Sequence, residues 1–193
     1  MKIYILRHEE RDDSPQFYTN LTLQGLFNSE NLKYTLEKEN IDIIFSSPFP
    51  RVLQTIKPFC IMKNMNQLVN VDYALYETMY DPIYFTKNNY KIELSKSDNE
   101  YYLSNPNYKS SITIDDIKCP EQHDDVKFRT TNLLNFIINN YKDTNNNILI
   151  ASHACAINTI INKYGTDVIY PPGGLAKIYE NTKSCYEPIN YSI

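Results

Sequence analysis

The chain has 193 residues, of which 42% are hydrophobic and 22% charged, as is ordinary for one globular domain spanning 1–193. Its net charge of -4 provides no basic surface for nucleic acid, so an anionic substrate would have to meet a local group of cations. The first residues lack the long apolar stretch of a signal peptide, and no segment is long enough for a transmembrane helix. We therefore expect a cytoplasmic protein whose partners include neither nucleic acid nor a membrane.

Apolar residues recur along the chain in an order that predicts alternating strands and helices. Short, β-branched runs predict strands at 2–7, 41–45, 68–71 and 148–151. Helical spacing of apolar residues predicts helices at about 23–38, 50–62, 121–141 and 154–164. A final short run at 176–179 predicts an edge strand. This alternation predicts a three-layer α/β/α sandwich with a mostly parallel central sheet.

The stretch 77–120 differs in composition from the rest of the chain. It is rich in Tyr, Asn, Ser and Lys, shows no sustained hydrophobic period and contains Pro82, Pro106 and Pro120. A connection of this length inside a compact domain is usually a functional segment over a site. We therefore predict a lid insertion at about 77–120.

Basic residues follow three of the predicted strands. Arg7 and His8 come directly after the first strand, Arg51 follows the second, and His153 follows the strand at 148–151. In open parallel sheets, ligands bind beyond the carboxyl ends of the strands. These side chains are therefore predicted to meet at one rim of the sheet.

Several other chemistries lack the motifs that they require. The four glycines, at 25, 165, 173 and 174, cannot form a dinucleotide fingerprint or a P-loop, and no Gly-x-Ser-x-Gly segment is present. No cysteine is followed six residues later by Arg, as a cysteine-phosphatase loop would require, and the four cysteines form no CxxC pair. Histidines and carboxylates also lack metal-ligand spacing. We expect no cofactor and no metal.

Two Arg and two His at one rim suit a phosphoryl group. Guanidinium groups pair with phosphate oxygens in bidentate fashion without a metal. A neutral His nitrogen can attack phosphorus and form a covalent intermediate. The leaving oxygen needs a proton, and Glu77, at the start of the predicted lid, is the best-placed carboxylate to donate it.

Several segments resemble the histidine phosphatase superfamily in their order and spacing. They are LRHEER at 6–11, LTLQG at 21–25, SSPFPRVLQT at 46–55, LYE at 75–77 and ASHA at 151–154. The block at 46–55 is highly specific, whereas an Arg-His pair alone would be a weak signal. The segment 120–129 also resembles the helix before the family's final catalytic strand, and the similarity extends over about the whole chain.

The resemblance implies a phosphoglycerate mutase-like fold and a metal-independent phosphatase that acts on a phosphomonoester through phosphohistidine. It implies that His8 is the nucleophile and Glu77 the proton donor. Arg7, Arg51 and His153 would form the phosphate pocket, with His153 also acting in catalysis. The expected partner is a phosphorylated substrate, either a small molecule or a phosphoprotein, and a homodimer is left open.

Three neighbouring positions refine this expectation. Arg11 matches an additional cationic position in the branch whose motif reads Arg-His-Gly-Glu-Arg, so it is a candidate for phosphate binding. Glu9 stands where the family has Gly, and its carboxylate would either repel the substrate or point away and pair with a nearby Arg. Ala154 replaces a second family Gly, which is a milder change.

Two alternatives to a phosphatase remain. One is phosphoryl transfer of the phosphoglycerate mutase type, against which the absence of Trp counts, because cofactor-dependent mutases have Trp-containing segments. The other is a non-catalytic family member that binds a phosphorylated ligand or protein, an idea that Glu9 keeps open. Outside the predicted site, we expect His123 to lie exposed at a helix start and Arg129 to form a structural ion pair. A turn is predicted at 171–174.

Overall fold

The structure is a computed structural model that describes residues 1–14, 16–64, 68–79, 93–162, 170–180 and 183–190. Six strands form its central sheet: β1 (Lys2–Arg7), β2 (Ile43–Ser46), β3 (Val69–Val71), β4 (Asn147–Ser152), β5 (Leu175–Glu180) and β6 (Lys183–Ile189). They lie side by side in the order β3, β2, β4, β1, β5, β6. The first four run parallel, whereas β5 and β6 are antiparallel to their neighbours.

Among the described residues, five α-helices accompany the sheet: α1 (Leu23–Lys38), α2 (Pro50–Met62), α3 (Lys96–Tyr101), α4 (His123–Tyr141) and α5 (Ala154–Asn162). Helix α1 packs against α2, and α4 packs against α5. The described part of the chain also has short 3-10 helices at Tyr73–Leu75 and Ile114–Asp116. In the described part of the chain, no helix is long and apolar enough to cross a membrane.

The core is divided by the sheet into two apolar layers. Alternate residues of a strand face opposite sides of a sheet, and β1 shows this directly. Tyr4 and Leu6 pack in one layer with buried residues of α1 and α2. Ile3 and Ile5 pack in the other with residues of α4 and α5. The predicted α/β/α sandwich with a mostly parallel sheet is therefore confirmed.

The C-terminal hairpin corrects one prediction. The run at 176–179 was expected at the sheet edge, but β5 lies between β1 and β6 and is largely buried. Strand β6, which the sequence pattern did not indicate, forms the edge instead. Its residues are mostly exposed or half-buried and include Pro188, so it has no continuous apolar run to identify it.

The predicted lid falls partly outside the described residues. Residues 80–92 are not described, whereas 93–120 contain α3 and the second 3-10 helix. The buried Asp72, just after β3, accepts hydrogen bonds from Tyr108 Oη at 2.5 Å and from the Ser111 backbone N–H at 2.9 Å. The later part of the stretch is thus attached to the sheet edge. The last predicted helix, at 154–164, also lies partly outside the described residues, because 163–169 are not described.

Candidate active site

Three parallel strands end side by side and form the floor of the site. Arg7 at the end of β1 is in register with Ser152 at the end of β4, and Ser46 of β2 is in register with Ala151 of β4. The ladder continues beyond the strands, because the His8 backbone N–H donates to Ser152 O at 3.0 Å. Helix α2 begins at Pro50 and α5 begins at Ala154, directly after two of these ends. The structure thus brings the ends of β1, β2 and β4 together at one rim of the sheet, as predicted.

His8 is a neutral imidazole, and one of its two ring nitrogens is hydrogen-bonded to the backbone. Its Nδ1 lies 2.7 Å from the carbonyl oxygen of Glu9, so we assign the proton to Nδ1 and leave the lone pair on Nε2. The ring is 3% exposed and its centroid lies 5.2 Å from that of His153. Burial, and then the charges of His153 and Arg51, lower the pKa of His8 well below 6.5. A ring in this state can act as a nucleophile at neutral pH.

His153 is fully buried between a hydroxyl and a carboxylate. Its Nε2 lies 2.8 Å from Ser47 Oγ, and its Nδ1 lies 3.0 Å from Glu77 Oε2. Burial lowers the pKa of His153 to about 4; Glu77 opposes this shift and Arg51 adds to it. The Nε2 atom of the neutral ring pairs with the Ser47 hydroxyl, and its Nδ1 faces the Glu77 carboxylate. The ring of Phe49 packs edge-on, with its centroid at 4.8 Å.

Arg51 is a fully buried cation in the first turn of α2. Its guanidinium carbon lies 4.4 Å from the centre of the Phe49 ring, and one nitrogen donates to Gln16 O at 2.9 Å. Another nitrogen lies 3.3 Å from Glu77 Oε2. A buried cation of this kind requires an anionic partner, which Glu77 supplies in this structure.

Arg7 is held by the turn that precedes β5. One of its guanidinium nitrogens donates to Tyr170 O at 2.5 Å, and its backbone N–H donates to Gly174 O at 3.0 Å. The predicted turn at 171–174 is present, and Gly173 has a φ of 70°, in the left-handed region that glycine adopts without strain. Because the Gly173 N–H also donates to His8 O at 3.0 Å, the turn is attached directly to the nucleophile's backbone.

Glu77 contacts both Arg51 and His153 through the same oxygen, Oε2. Its other oxygen accepts from the Thr78 backbone N–H at 3.1 Å. Burial raises the pKa of Glu77, but the nearby His153 and Arg51 outweigh the effect of burial, so the pKa lies below the ordinary value. The carboxylate is thus ionised and within reach of the same groups that could bind a phosphoryl oxygen.

Arg11 lies at the mouth of the site, apart from the buried group. Its guanidinium donates to the carbonyl oxygens of Asp12 at 2.5 Å and Ser14 at 3.1 Å. Together with Arg7 and His8 it lines a cavity of about 260 Å³. This position is compatible with a contact to the outer part of a substrate, and its phosphate-binding role stays a prediction.

The Glu9 side chain points toward α1. Its Oε2 accepts a hydrogen bond from Asn28 Nδ2 at 3.2 Å, and its backbone N–H donates to Thr55 Oγ1 at 3.0 Å. Its side chain is buried, and its backbone φ is not in the left-handed region that would call for glycine. The part of Glu9 that touches the nucleophile is therefore its carbonyl oxygen, which any residue would supply.

Two functional contacts were not anticipated from the sequence. Ser47 positions His153, and its location directly after a predicted strand in the block at 46–55 was the available signal. The Glu9 carbonyl orients His8, but main-chain oxygens carry no residue-specific signal. Both contacts depend on where separate segments meet in space.

The buried group fits an anion better than a metal ion. Ring nitrogens of His8 and His153 and a carboxylate oxygen of Glu77 all lie within 4.8 Å of one another, which is the spacing of a three-ligand cation site. However, the Arg51 guanidinium lies only 3.3 Å from the Glu77 oxygen and would repel a divalent cation. The same charges favour a phosphate-like group.

The comparisons with known proteins identify the class of protein. The family model for the histidine phosphatase superfamily (branch 1) matches residues 3–168. The chain therefore belongs to the histidine phosphatase superfamily, and its fold is phosphoglycerate mutase-like. A sequence search of curated proteins found no match.

Solved structures share this fold at low sequence identity. The ecdysone phosphate phosphatase of Bombix mori, solved with tungstate, is 14% identical, with a TM-score of 0.75 over 98% of this chain and 92% of that one. A mycobacterial glucosyl-3-phosphoglycerate phosphatase is 14% identical, with a TM-score of 0.63 over 100% and 97% of the two chains. A phosphoserine phosphatase mutant from Entamoeba histolytica, solved with phosphoserine, is 16% identical, with a TM-score of 0.63 over 98% and 95%.

Proposed function

We propose that this protein hydrolyses phosphomonoesters through a phosphohistidine intermediate on His8, without a metal ion. The observation that carries the proposal is the orientation of His8, whose Nδ1 lies 2.7 Å from the Glu9 carbonyl, beside the buried Arg51 and His153. One ring nitrogen is thereby committed to the backbone, and the other keeps its lone pair for attack on phosphorus.

The reaction follows from the roles that these groups can take. Nε2 of His8 attacks phosphorus, the bond to the ester oxygen breaks, and the leaving oxygen takes a proton from Glu77. Arg7 and Arg51 stabilise the charge on the phosphoryl oxygens. Water then attacks the phosphohistidine, its proton passes to the Glu77 carboxylate, and free phosphate and His8 are regenerated.

Substrate binding reconciles the ionised Glu77 with its role as an acid. A phosphoryl group that contacts Arg51 and His153 competes with the Glu77 carboxylate for them and brings its own negative charge. Both effects raise the pKa of Glu77 in the complex and favour the protonated form that donates to the leaving group.

The similar structures support the general class of this reaction. By name they are phosphatases of ecdysone phosphate, glucosyl-3-phosphoglycerate and phosphoserine, and they share only the fold with this chain at these identities. What the three names have in common is a phosphate ester, and we extend only that class to this protein. The proposed substrate is therefore a phosphorylated small molecule or phosphoprotein.

The proposal is tested with para-nitrophenyl phosphate and an excess of chelator. Wild-type turnover should resist the chelator, and His8→Ala should reduce kcat by at least about 10³-fold because the nucleophile is removed. The matched control is His123→Ala, since His123 is an exposed histidine at the start of α4. Equal turnover by wild type and His8→Ala, or loss of wild-type turnover with chelator, would contradict the proposal.

A second measurement separates hydrolysis from phosphoryl transfer. Rapid quenching of wild type should trap a phosphoprotein that is labile in acid and stable in base, and His8→Ala should give none. With a phosphoglycerate as substrate, the expected product is free phosphate. Isomerised phosphoglycerate in place of phosphate would instead identify a mutase.

A further inference from the structure

A buried ion pair contacts the short segment that carries Glu77. Arg129 of α4 donates from Nε to Glu121 Oε1 at 2.7 Å and from a terminal nitrogen to Glu121 Oε2 at 2.9 Å. The residues are 5% and 1% exposed, so the predicted structural ion pair of Arg129 is present and lies in the interior. This bidentate geometry fixes both side chains relative to each other.

The two residues also hydrogen-bond to the backbone on either side of Glu77. Arg129 donates to Ala74 O at 2.6 Å, three residues before Glu77. Glu121 accepts from the Met79 N–H at 3.3 Å and donates from its own backbone to Met79 O at 2.8 Å, two residues after Glu77. A single ion pair therefore connects both ends of the segment to the start of α4.

Hydrogen bonds from other elements also reach the first half of the segment. The Asp72 carboxylate accepts from the Ala74 N–H at 2.8 Å, and Ser152 donates to Leu75 O at 2.8 Å. After Glu77, the Met79 side chain packs in the core, and Glu121 hydrogen-bonds to both backbone groups of Met79. A proton donor must be held within a fraction of an ångström of its productive position, so a restraint on both sides has a functional consequence.

We propose that Glu121 and Arg129 are positioning residues for Glu77, holding its carboxyl group where the leaving oxygen of the substrate will lie. The inference rests on the proposed function, because it concerns the proton donor of that reaction. Neither residue touches the reacting atoms; they act through the backbone at Ala74 and Met79.

The choice of leaving group reveals this role. An alkyl phosphate needs a proton on its leaving oxygen, whereas para-nitrophenolate leaves readily as an anion. Loss of proton donation therefore slows hydrolysis of an alkyl phosphate much more than hydrolysis of the nitrophenyl ester. A general loss of folded protein would lower both rates by the same factor.

The test compares glycerol phosphate with para-nitrophenyl phosphate in four variants. Glu77→Gln sets the effect of losing the donor itself, expected at about 10²-fold or more on glycerol phosphate. Glu121→Gln keeps the shape of the side chain but places its NH2 group against a donor, either the Met79 N–H or the Arg129 Nε–H. The double variant Glu121→Leu with Arg129→Met removes both charges together, which buried pairs tolerate better than the loss of one partner.

The fourth variant, Lys118→Gln, is the matched control. Lys118 forms an ion pair with Asp125 at 2.5 Å in the same region, but the lysine side chain is 69% exposed and contacts no part of the Glu77 segment among the described contacts. We expect Glu121→Gln and the double variant to lose about 10-fold or more in kcat on glycerol phosphate and less than about 3-fold on the nitrophenyl ester. Lys118→Gln should change neither rate.

The outcomes distinguish this inference from the proposed function. Equal losses on both substrates in Glu121→Gln, with a selective loss in Glu77→Gln, would overturn the positioning role and leave the reaction intact. If Glu77→Gln itself showed no selectivity, or wild type showed no turnover, the proposed function would fail first. Circular dichroism confirms that each variant is folded, and Glu121→Gln decides the question if the double variant is not.

Discussion

Glu9 illustrates how the effect of a residue depends on which of its atoms reaches the site. Its carbonyl oxygen holds His8, while its carboxylate accepts a hydrogen bond from Asn28 on α1. Of the two expectations for this position, the structure places the side chain away from the nucleophile. A carboxylate is therefore accommodated where the family pattern has glycine.

This geometry leads to a prediction for Glu9→Gln. The amide oxygen can still accept from Asn28, and the backbone carbonyl that orients His8 is unchanged. Because the hydrogen bond from Asn28 and the carbonyl contact to His8 are both kept, we expect kcat/KM for para-nitrophenyl phosphate to stay within about 3-fold of wild type. An increase of about 10-fold or more would instead mean that the carboxylate repels the substrate.

The pH dependence tests the assigned protonation states. The pKa of Glu77 lies below its ordinary value, because His153 and Arg51 outweigh the effect of burial, and the pKa of His8 is also lowered, chiefly by burial. As pH falls, the protonated fraction of Glu77 in the free enzyme rises while His8 stays neutral.

We therefore expect kcat/KM for an alkyl phosphate to rise as pH falls from about 8 to about 6. Dividing the wild-type profile by that of Glu77→Gln removes the ionisation of the substrate itself, and the rise should remain in this ratio. A ratio that stays level or falls across the same range would contradict the role of Glu77 as the group whose protonation limits the reaction.

Among the elements, the start of α1 depends on one close approach. The Thr22 side chain accepts from the Gly25 N–H at 3.0 Å and caps the helix, and the Thr22 N–H donates to Glu10 O at 3.0 Å. A Cβ atom at Gly25 would lie 2.2 Å from Glu10 O, a backbone atom of the loop that follows His8. Helix α1 can therefore reach this loop only with glycine at that position.

Gly25→Ala should accordingly separate α1 from the loop. We expect a loss of about 1–3 kcal/mol in the free energy of unfolding from overpacking, together with lower activity as the loop moves. Glu37→Ala on an exposed position of the same helix is the control and should change stability by less than about 0.5 kcal/mol. Urea denaturation measures both, and an unchanged midpoint for Gly25→Ala would contradict the close approach.

The elements also differ in how well their sequences predict them. Helix α1 was predicted at 23–38 and α2 at about 50–62, as observed, because apolar spacing and Pro50 at the first turn are local signals. Strand β6 was not predicted, since pairing with β5 stabilises it more than any apolar pattern of its own. Local patterns thus identify elements that bury a face, and they miss elements whose stability comes from a partner strand.

For the molecule as a whole, the alternation of strands and helices was sufficient to predict the arrangement of the site. Parallel strands that are adjacent in a sheet end at the same edge, so Arg7, His8 and His153 had to meet once β1 and β4 paired. Arg51 was expected at the same rim because it follows the second strand, and Glu77 because it is the carboxylate at the start of the predicted lid; the family motifs indicate the same two residues. Arg51 reaches the group from the first turn of α2, and Glu77 reaches it from the segment that follows the 3-10 helix at Tyr73–Leu75.

The sequence by itself determined the fold class, the family and the residue types available for phosphoryl chemistry, because these depend on local patterns and on motif order. Only the tertiary structure decided which atoms meet. It placed the Glu9 carbonyl on His8, Ser47 on His153 and the Glu121–Arg129 pair on the Glu77 segment. These contacts join segments that are distant in the chain or use backbone atoms, and a packed interior fixes such distances only after the whole chain has folded.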